Sequence, residues 1–337
     1  MQVKIKQLGH KGHGIADIDA KQVYIPFTLP GETVEVSDIN GAYGIDKIIE
    51  PSASRIKPIC KHFTKCGSCN SQHMATDLYD DWKKSSLEYA LEQHDIDKKI
   101  DNYIKFDISK GDINLRRRVK FAAKRTKKSV MIGYHKAQSH DIIPLEECPI
   151  ITKAILNILP KLADFIKPIM SRKAVSYISI TDYNGKLEIG LENVKYDHGY
   201  DEITYINEQA TKLNLARILI NGELILQRIE VSEDFSDVAV SPVAGGFMQA
   251  VKAAELEMSK CVKQFLGNVD GNIVDLFAGI GTFTFTLAKT NQIDAFDNDK
   301  FAVEALQDGF YKAGGRTDLK LKTGTATARD LFSPPLF

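Results

Sequence analysis

The segment "GNIVDLFAGIGTFTFTLAKT", residues 271–290, constrains the fold more than any other part of the chain. An apolar, β-branched run stops at two closely spaced glycines, Gly279 and Gly281, and a run of helical character takes over at once. A second strand-like run, "QIDAFDND", and a second helical one, "KFAVEALQDGFYKAGG", follow, with a further strand in "DLKLKTG". Strands alternating with helices of this length call for a parallel sheet wound by crossovers. The stretch ahead of them, "AGGFMQAVKAAELEMSKCVKQFLG", reads as an amphipathic helix.

The glycines let the backbone come close to a ligand at the start of the helix. A dinucleotide fingerprint would place a third glycine where this chain has Thr284, which argues against a nicotinamide cofactor. Asp297 ends the next strand, sixteen residues beyond Gly281, where a carboxylate can accept both hydroxyls of a ribose. With Asp275 in the D-x-F-x-G-x-G context, these residues suit S-adenosylmethionine bound by a class I methyltransferase domain.

A second concentration of chemistry lies in "CKHFTKCGSCNSQHM", residues 60–74, which holds three of the five cysteines. No N-terminal apolar leader is present and no run is long enough to cross a bilayer, so a cytoplasmic protein without membrane partners is expected. There cysteines stay reduced and read as metal ligands or catalytic thiols. Cys60, Cys66 and Cys69 follow C-x5-C-x2-C, with Gly67 in the turn, and a fourth ligand is needed. Cys148 in "PLEECPI" would complete four thiolates, for an iron–sulfur cubane or structural zinc; His73 would complete a local zinc knuckle. The five-residue gap argues against a radical S-adenosylmethionine enzyme, and Cys261 reads as a packed core thiol.

Net charge is zero, with 44 basic and 44 acidic residues, but the run "RRRVKFAAKRTKK", residues 116–128, has eight basic residues in thirteen and no acid. Arg116, Arg117, Arg118 and Lys120 are therefore candidate RNA contacts, against the plainer reading of a solvated strand face. At 337 residues and 43% hydrophobic content the chain can bury two or three cores. The first 50 residues alternate apolar and polar in short runs, as a small antiparallel barrel of oligonucleotide-binding type does. A mixed α+β region follows, opening with a helix near Asp77 whose Leu78, Trp82, Leu87, Tyr89 and Leu91 are expected in the core. The expected segments are 1–52, 53–237 and 238–337.

Taken together, "IPFTLPGETVEV", "CKHFTKCGSCNSQHM", "RRRVKF", "EECPI", "GGFMQA" and "DLFAGIGTF", in that order, resemble the RNA uracil-C5 methyltransferase family, the 5-methyluridine enzymes of ribosomal and transfer RNA. The resemblance covers essentially the whole chain. It implies an N-terminal TRAM-type RNA-binding barrel, a central α+β domain carrying a [4Fe–4S] cluster, and a C-terminal Rossmann-like methyltransferase domain. It assigns the cluster to Cys60, Cys66, Cys69 and Cys148, and S-adenosylmethionine to Gln249, Phe277, Thr282 and Asp297 around the turn of Asp275, Gly279 and Gly281, with Asp330 on the adenine side. RNA is the implied partner, ribosomal ahead of transfer RNA, and a monomer is expected. Family chemistry adds a cysteine thiolate to C6 of uracil, methylates C5 and removes the C5 proton with a carboxylate. In the family that cysteine and glutamate lie beyond the position matching "ARDLFSPPLF", so no catalytic residue is assigned and the methyltransferase domain is expected to be incomplete, with an exposed apolar edge on the strand ending at Phe277. The alternative is an RNA-binding iron–sulfur protein without catalysis.

Overall fold

The computed structural model describes residues 1–39, 41–97, 100, 103–105, 113–267, 269, 271–313 and 320–325. The chain forms two compact units, Met1–Ile113 with Gly133–Pro149, and Asn114–Ile132 with Ile150–Phe337.

In the first unit six short strands follow one another: β1 (Gln2–Lys4), β2 (Gln7–Leu8), β3 (Gly14–Ile18), β4 (Lys21–Ile25), β5 (Thr33–Ile39) and β6 (Ala42–Glu50). They pair antiparallel as β1-β5-β6 and β2-β3-β4. Period-two alternation turns Ile5, Ala16, Ile18, Ile25, Val34 and Val36 into one shared core. Buried Glu32 accepts hydrogen bonds from the Leu29 amide at 2.8 Å and from Arg55 Nη2 at 2.8 Å. Burial opposes ionisation there, but the Arg55 and amide bonds prevail and hold the carboxyl below its usual range.

Helix α1 (Thr76–Glu92) departs from the sequence expectation. Trp82 packs beneath Gly12, where an added Cβ would lie 3.2 Å from the ring, and its Nε1 donates to the Gly9 carbonyl at 2.9 Å. Leu87 and Tyr89 are 50% and 62% exposed and form no core. Leu87 sits five positions from Trp82, on the far side of the helix, and Tyr89 shares the Trp82 face but lies about two turns beyond Trp82.

The second unit is built on β7 (Arg118–Arg125), β10 (Ser176–Tyr183), β11 (Lys186–Glu192), β12 (Leu215–Ile220) and β13 (Glu223–Gln227), in the order β13-β12-β11-β10-β7. Strand β8 (Val130–His135) begins in this unit and ends in the first, where it pairs antiparallel with β9 (Ile142–Pro144). Helix α2 (Lys153–Ile166) buries Ile155, Leu162, Phe165 and Ile166 along one stripe. Helix α3 (Tyr200–Lys212) is the crossover that lets β11 and β12 run parallel. Every residue of β12, "LARILI", is buried, so it lacks the alternation that marks a strand in sequence.

A hairpin of β14 (Glu233–Phe235) and β15 (Val238–Val240) leads to helix α4 (Lys252–Leu266). The expected amphipathic helix thus starts later than its sequence suggests, and 241–251 is irregular, with Gly245 at φ +70°. Cys261 on α4 is exposed rather than packed. Strand β16 (Asn272–Leu276), short α5 (Thr284–Ala288), β17 (Gln292–Asp297), α6 (Lys300–Lys312) and β18 (Lys320–Thr325) form a parallel sheet in the order β16-β17-β18. Phe235, Val240, Phe285, Ile293 and Leu306 share its core. Among the described residues β16 is an edge strand, and Val274 on it is 47% exposed.

Replacing fully buried Leu162 with alanine should cost about 2–5 kcal/mol, whereas Leu87→Ala on α1 should stay within roughly 0.5 kcal/mol of wild type. Denaturant unfolding of the two variants checks both values.

Candidate cofactor and cysteine sites

Where β16 ends the backbone turns left-handed three times in five residues, at Phe277 (φ +63°), Gly279 (φ +56°) and Gly281 (φ +97°). A Cβ at position 281 would lie 2.5 Å from the Phe285 ring, so this position requires glycine. The turn is stitched to the end of β17. Ala278 N–H donates to the Phe296 carbonyl at 3.0 Å, and Gly279 N–H to Asp297 Oδ2 at 2.7 Å. The other oxygen of Asp297 accepts from Asp299 N–H at 2.9 Å, while Asp299 caps α6 by accepting from the Phe301 and Ala302 amides.

These residues enclose a cavity of about 380 Å³, lined by Phe277, Gly279, Thr282 and Asp297 and, from the irregular segment, by Phe247 and Gln249. Its size falls within the range of small-molecule sites. Each Asp297 oxygen, holding one backbone N–H, keeps a lone pair for a further donor such as a ribose hydroxyl. The donor set and the apolar rings fit an adenosyl cofactor. Two residues read as cofactor contacts stand behind the cavity instead. Gly281 packs on Phe285, and Asp275 accepts from Thr284 Oγ1 at 2.6 Å. Burial, reinforced by the nearby Asp297 charge, pushes the Asp275 carboxyl up against the pull of the Thr284 hydroxyl. Asp330 lies outside the described residues. Asp299 and Phe247 line the cavity and were missed in the sequence. An aspartate directly ahead of a helix was the available signal for Asp299.

In the first unit Cys60, Cys66, Cys69 and Cys148 line one small cavity together with Phe63 and Leu145. The two segments are laced together by Lys61 N–H to Glu147 Oε1 at 2.9 Å and by an exposed Lys61–Glu146 ion pair. The cysteine turn is held by Gly67 N–H to the His135 carbonyl at 2.9 Å and by Ala137 N–H to the Lys65 carbonyl at 3.0 Å. Burial pushes the Cys60 and Cys69 thiols up, and the neighbouring cysteine sulfurs add to it. Among the described residues no group of three or more His, Cys, Asp or Glu is placed to hold a metal ion. One zinc ion would draw its sulfurs to roughly 3.8 Å of one another; a cubane binds each cysteine to a different iron and spaces them more widely. His73 does not line this cavity. It is fully buried against Phe27 and Phe63, with neither ring nitrogen in hydrogen-bond geometry. Burial, and next Arg55, lower its pKa to about 4.

The basic run divides by strand alternation. Arg116 is exposed, Arg118 lies over the Phe247 ring at 5.2 Å, and Lys120 pairs with Glu192 at 2.7 Å. Arg117, read as an RNA contact, is buried and commits its guanidinium to Glu233 at 2.8 Å and Glu255 at 3.0 Å. Apart from it, the first unit carries an open cleft of about 960 Å³ lined by the rings of Phe27, Tyr43 and Tyr134 and by Lys47 and Lys136.

Residues 1–41 match the model of the TRAM domain of tRNA (uracil(54)-C(5))-methyltransferase. An uncharacterized RNA methyltransferase of Rhizobium meliloti is 34% identical over 99% of this chain and 79% of its own length. The 23S rRNA (uracil(1939)-C(5))-methyltransferase RlmD of Shewanella halifaxensis is 26% identical over 86% of this chain and 68% of its own length. The solved structure of Pyrococcus abyssi tRNA (uracil-54, C5)-methyltransferase in complex with S-adenosyl-L-homocysteine superposes with a TM-score of 0.72 at 20% identity, over 98% of this chain and 80% of that one. Parallel strands ending in a glycine turn over an acidic strand end, behind a TRAM module, define an S-adenosylmethionine-dependent methyltransferase fold. The chain belongs to the RNA methyltransferase family of these relatives.

Folding stability should carry the signature of His73. Its folded pKa of about 4 lies below the usual 6.5, so the stability is fully present above pH 6.5. It declines as the pH falls towards 4, because the unfolded chain takes up a proton that the folded one refuses, for a loss of roughly 3 kcal/mol. Urea unfolding of His73→Phe between pH 7 and pH 4 should show a flatter profile than wild type.

Proposed function

We propose that this RNA methyltransferase transfers the methyl group of S-adenosylmethionine to C5 of a uridine, in ribosomal ahead of transfer RNA, as a cytoplasmic monomer. One observation carries the reading: the cavity in which the Gly279 turn, Asp297 and Gln249 face one another, in a chain of this family. Asp297 takes the ribose hydroxyls, Gln249 offers its amide, and Phe277 and Phe247, both exposed, offer apolar faces for the cofactor to cover. S-adenosylmethionine supplies the methyl group when bound. The choice of ribosomal RNA draws support from relatives such as RlmD. Among the described residues no helix is long and apolar enough to cross a membrane, in keeping with that compartment.

The proposed route is covalent. A cysteine thiolate would add to C6 of the extruded base, C5 becomes nucleophilic and takes the methyl group, and a carboxylate removes the C5 proton as the C6–S bond breaks and the thiolate leaves. Cys60, Cys66, Cys69 and Cys148 line the cavity in the first unit and Cys261 is exposed on α4, so none of the five lines the cofactor cavity. The four clustered cysteines would hold a [4Fe–4S] cluster, with structural zinc as the competitor; their shared cavity supports it. The reading keeps three functional segments, 1–52 for the barrel, 53–237 for the cysteine domain and 238–337 for methyl transfer. The aromatic and cationic cleft of the first unit suits a single-stranded RNA, whose bases stack and whose phosphates seek cations, and on the second unit Arg116 and Lys120 are exposed and Arg118 half-buried for phosphate contact.

On the 337-residue chain, methyl-labelled S-adenosylmethionine and uridine-containing RNA test that route: label at C5, read by nucleoside mass spectrometry, would require a nucleophile other than the five cysteines and would overturn it. Asp297→Ala should weaken S-adenosylhomocysteine binding about ten-fold or more, by the loss of charge-assisted hydrogen bonds; unchanged binding overturns the cofactor assignment. Protein purified without air should be brown and Cys148→Ser colourless. Colourless wild-type protein with stoichiometric zinc refutes the cluster.

A further inference from the structure

One wall of the cofactor cavity belongs to no regular element. Residues 241–251 are irregular, yet Val243, Gly246, Phe247 and Gln249 line the cavity. An irregular segment has no ladder of its own, so its backbone groups must find partners elsewhere. Four of them find partners at two buried arginines of the same unit and at a carboxylate paired with one of them.

At one end of the segment Arg217 Nη1, on β12, donates to the Pro242 carbonyl at 2.7 Å, and Gly245 N–H donates to Glu188 Oε1, on β11, at 3.0 Å. At the other end Arg117 Nε donates to the Gln249 carbonyl at 3.0 Å, and the Arg117 amide to the Ala250 carbonyl at 2.8 Å. Arg117 and Arg217 are 7% and 5% exposed. Arg117 spends Nη1 on both oxygens of Glu233 and Nη2 on Glu255, and Lys252 bridges the same two carboxylates at 3.0 and 2.6 Å. Two cations thus balance two carboxylates.

Buried ion pairs add little net stability, since desolvation offsets the Coulomb attraction. What a guanidinium adds is position, because its donors leave in a rigid fork. With Nη1 and Nη2 fixed by Glu233 and Glu255, Nε has one direction left, and it meets the Gln249 carbonyl. That same residue lines the cavity.

We propose that Arg117 and Arg217 are positioning residues that set the cofactor-facing wall before the cofactor arrives. The proposal rests on reading the cavity as the S-adenosylmethionine site. Lysine at either position keeps the charge and loses the fork.

The test is calorimetric binding of S-adenosylhomocysteine to the full 337-residue chain, with circular dichroism and melting recorded on the same samples. Arg117→Lys and Arg217→Lys should keep the far-ultraviolet spectrum and bind about ten-fold or more weakly, the scale of a misplaced contact. Lysine variants that melt lower but bind as tightly as wild type would overturn the proposal, leaving the arginines a purely structural role. Hydrogen exchange on the wild-type protein is independent of how the variants fold. Without cofactor the Gly245 and Arg117 amides should be protected, and free exchange there also overturns the proposal. A wild-type chain that keeps this protection but binds no S-adenosylhomocysteine refutes the cofactor reading, and the positioning role with it.

Discussion

The guanidinium of Arg117 meets, within one buried cluster, the hairpin through Glu233, the first turn of α4 through Glu255 and the irregular segment through the Gln249 carbonyl. Its own backbone continues the tie, donating to the Ala250 carbonyl and accepting from Asp182 N–H at the end of β10. Sheet, hairpin, helix and cavity wall therefore share one node. Removing one partner would leave a buried charge uncompensated, which is why such clusters, weak as net stabilisers, are strict about geometry. The residues joined lie 116 and 138 positions apart in the chain.

The opposite wall of the cavity is made locally. The left-handed backbone at Gly279 and Gly281 and the amide bonds into Asp297 follow from a short stretch that any neighbourhood would fold in much the same way. One wall comes from chain-local chemistry and the other from long-range packing. The cysteine cavity repeats this division, since the turn around Gly67 is local while Cys148 arrives on a segment held by Glu147 and Lys61.

The strand, turn and helix alternation of the last hundred residues was legible because each element carries its own period. Strand β12 was not, because burial of both faces erases alternation, and Leu87 and Tyr89 were misread because helical spacing names a face without saying how far the packing partner extends. Of the residues read as cofactor contacts at the glycine turn, Phe277, Gly279, Thr282 and Asp297 line the cavity. Asp275 and Gly281 belong to the same motif yet serve the turn rather than the cavity. The basic run was legible as charge but not as geometry, since successive residues of an extended chain face opposite ways and composition does not say which way is in.

The sequence by itself determined the order of the segments, the left-handed glycine turn with its acidic strand end, and the grouping of three cysteines about Gly67, because each depends on residues close together in the chain. Cysteine spacing left Cys148 and His73 open and the resemblance pointed to Cys148, but only the tertiary structure brings Cys148 and not His73 to the lining of the cysteine cavity and turns Arg117 inward to Glu233 and Glu255 while its neighbours do not. The physical reason is the same for both. A thiol and a histidine, or three consecutive arginines, are equivalent candidates until burial removes water from some of them, and burial is a property of segments far apart in sequence meeting in space.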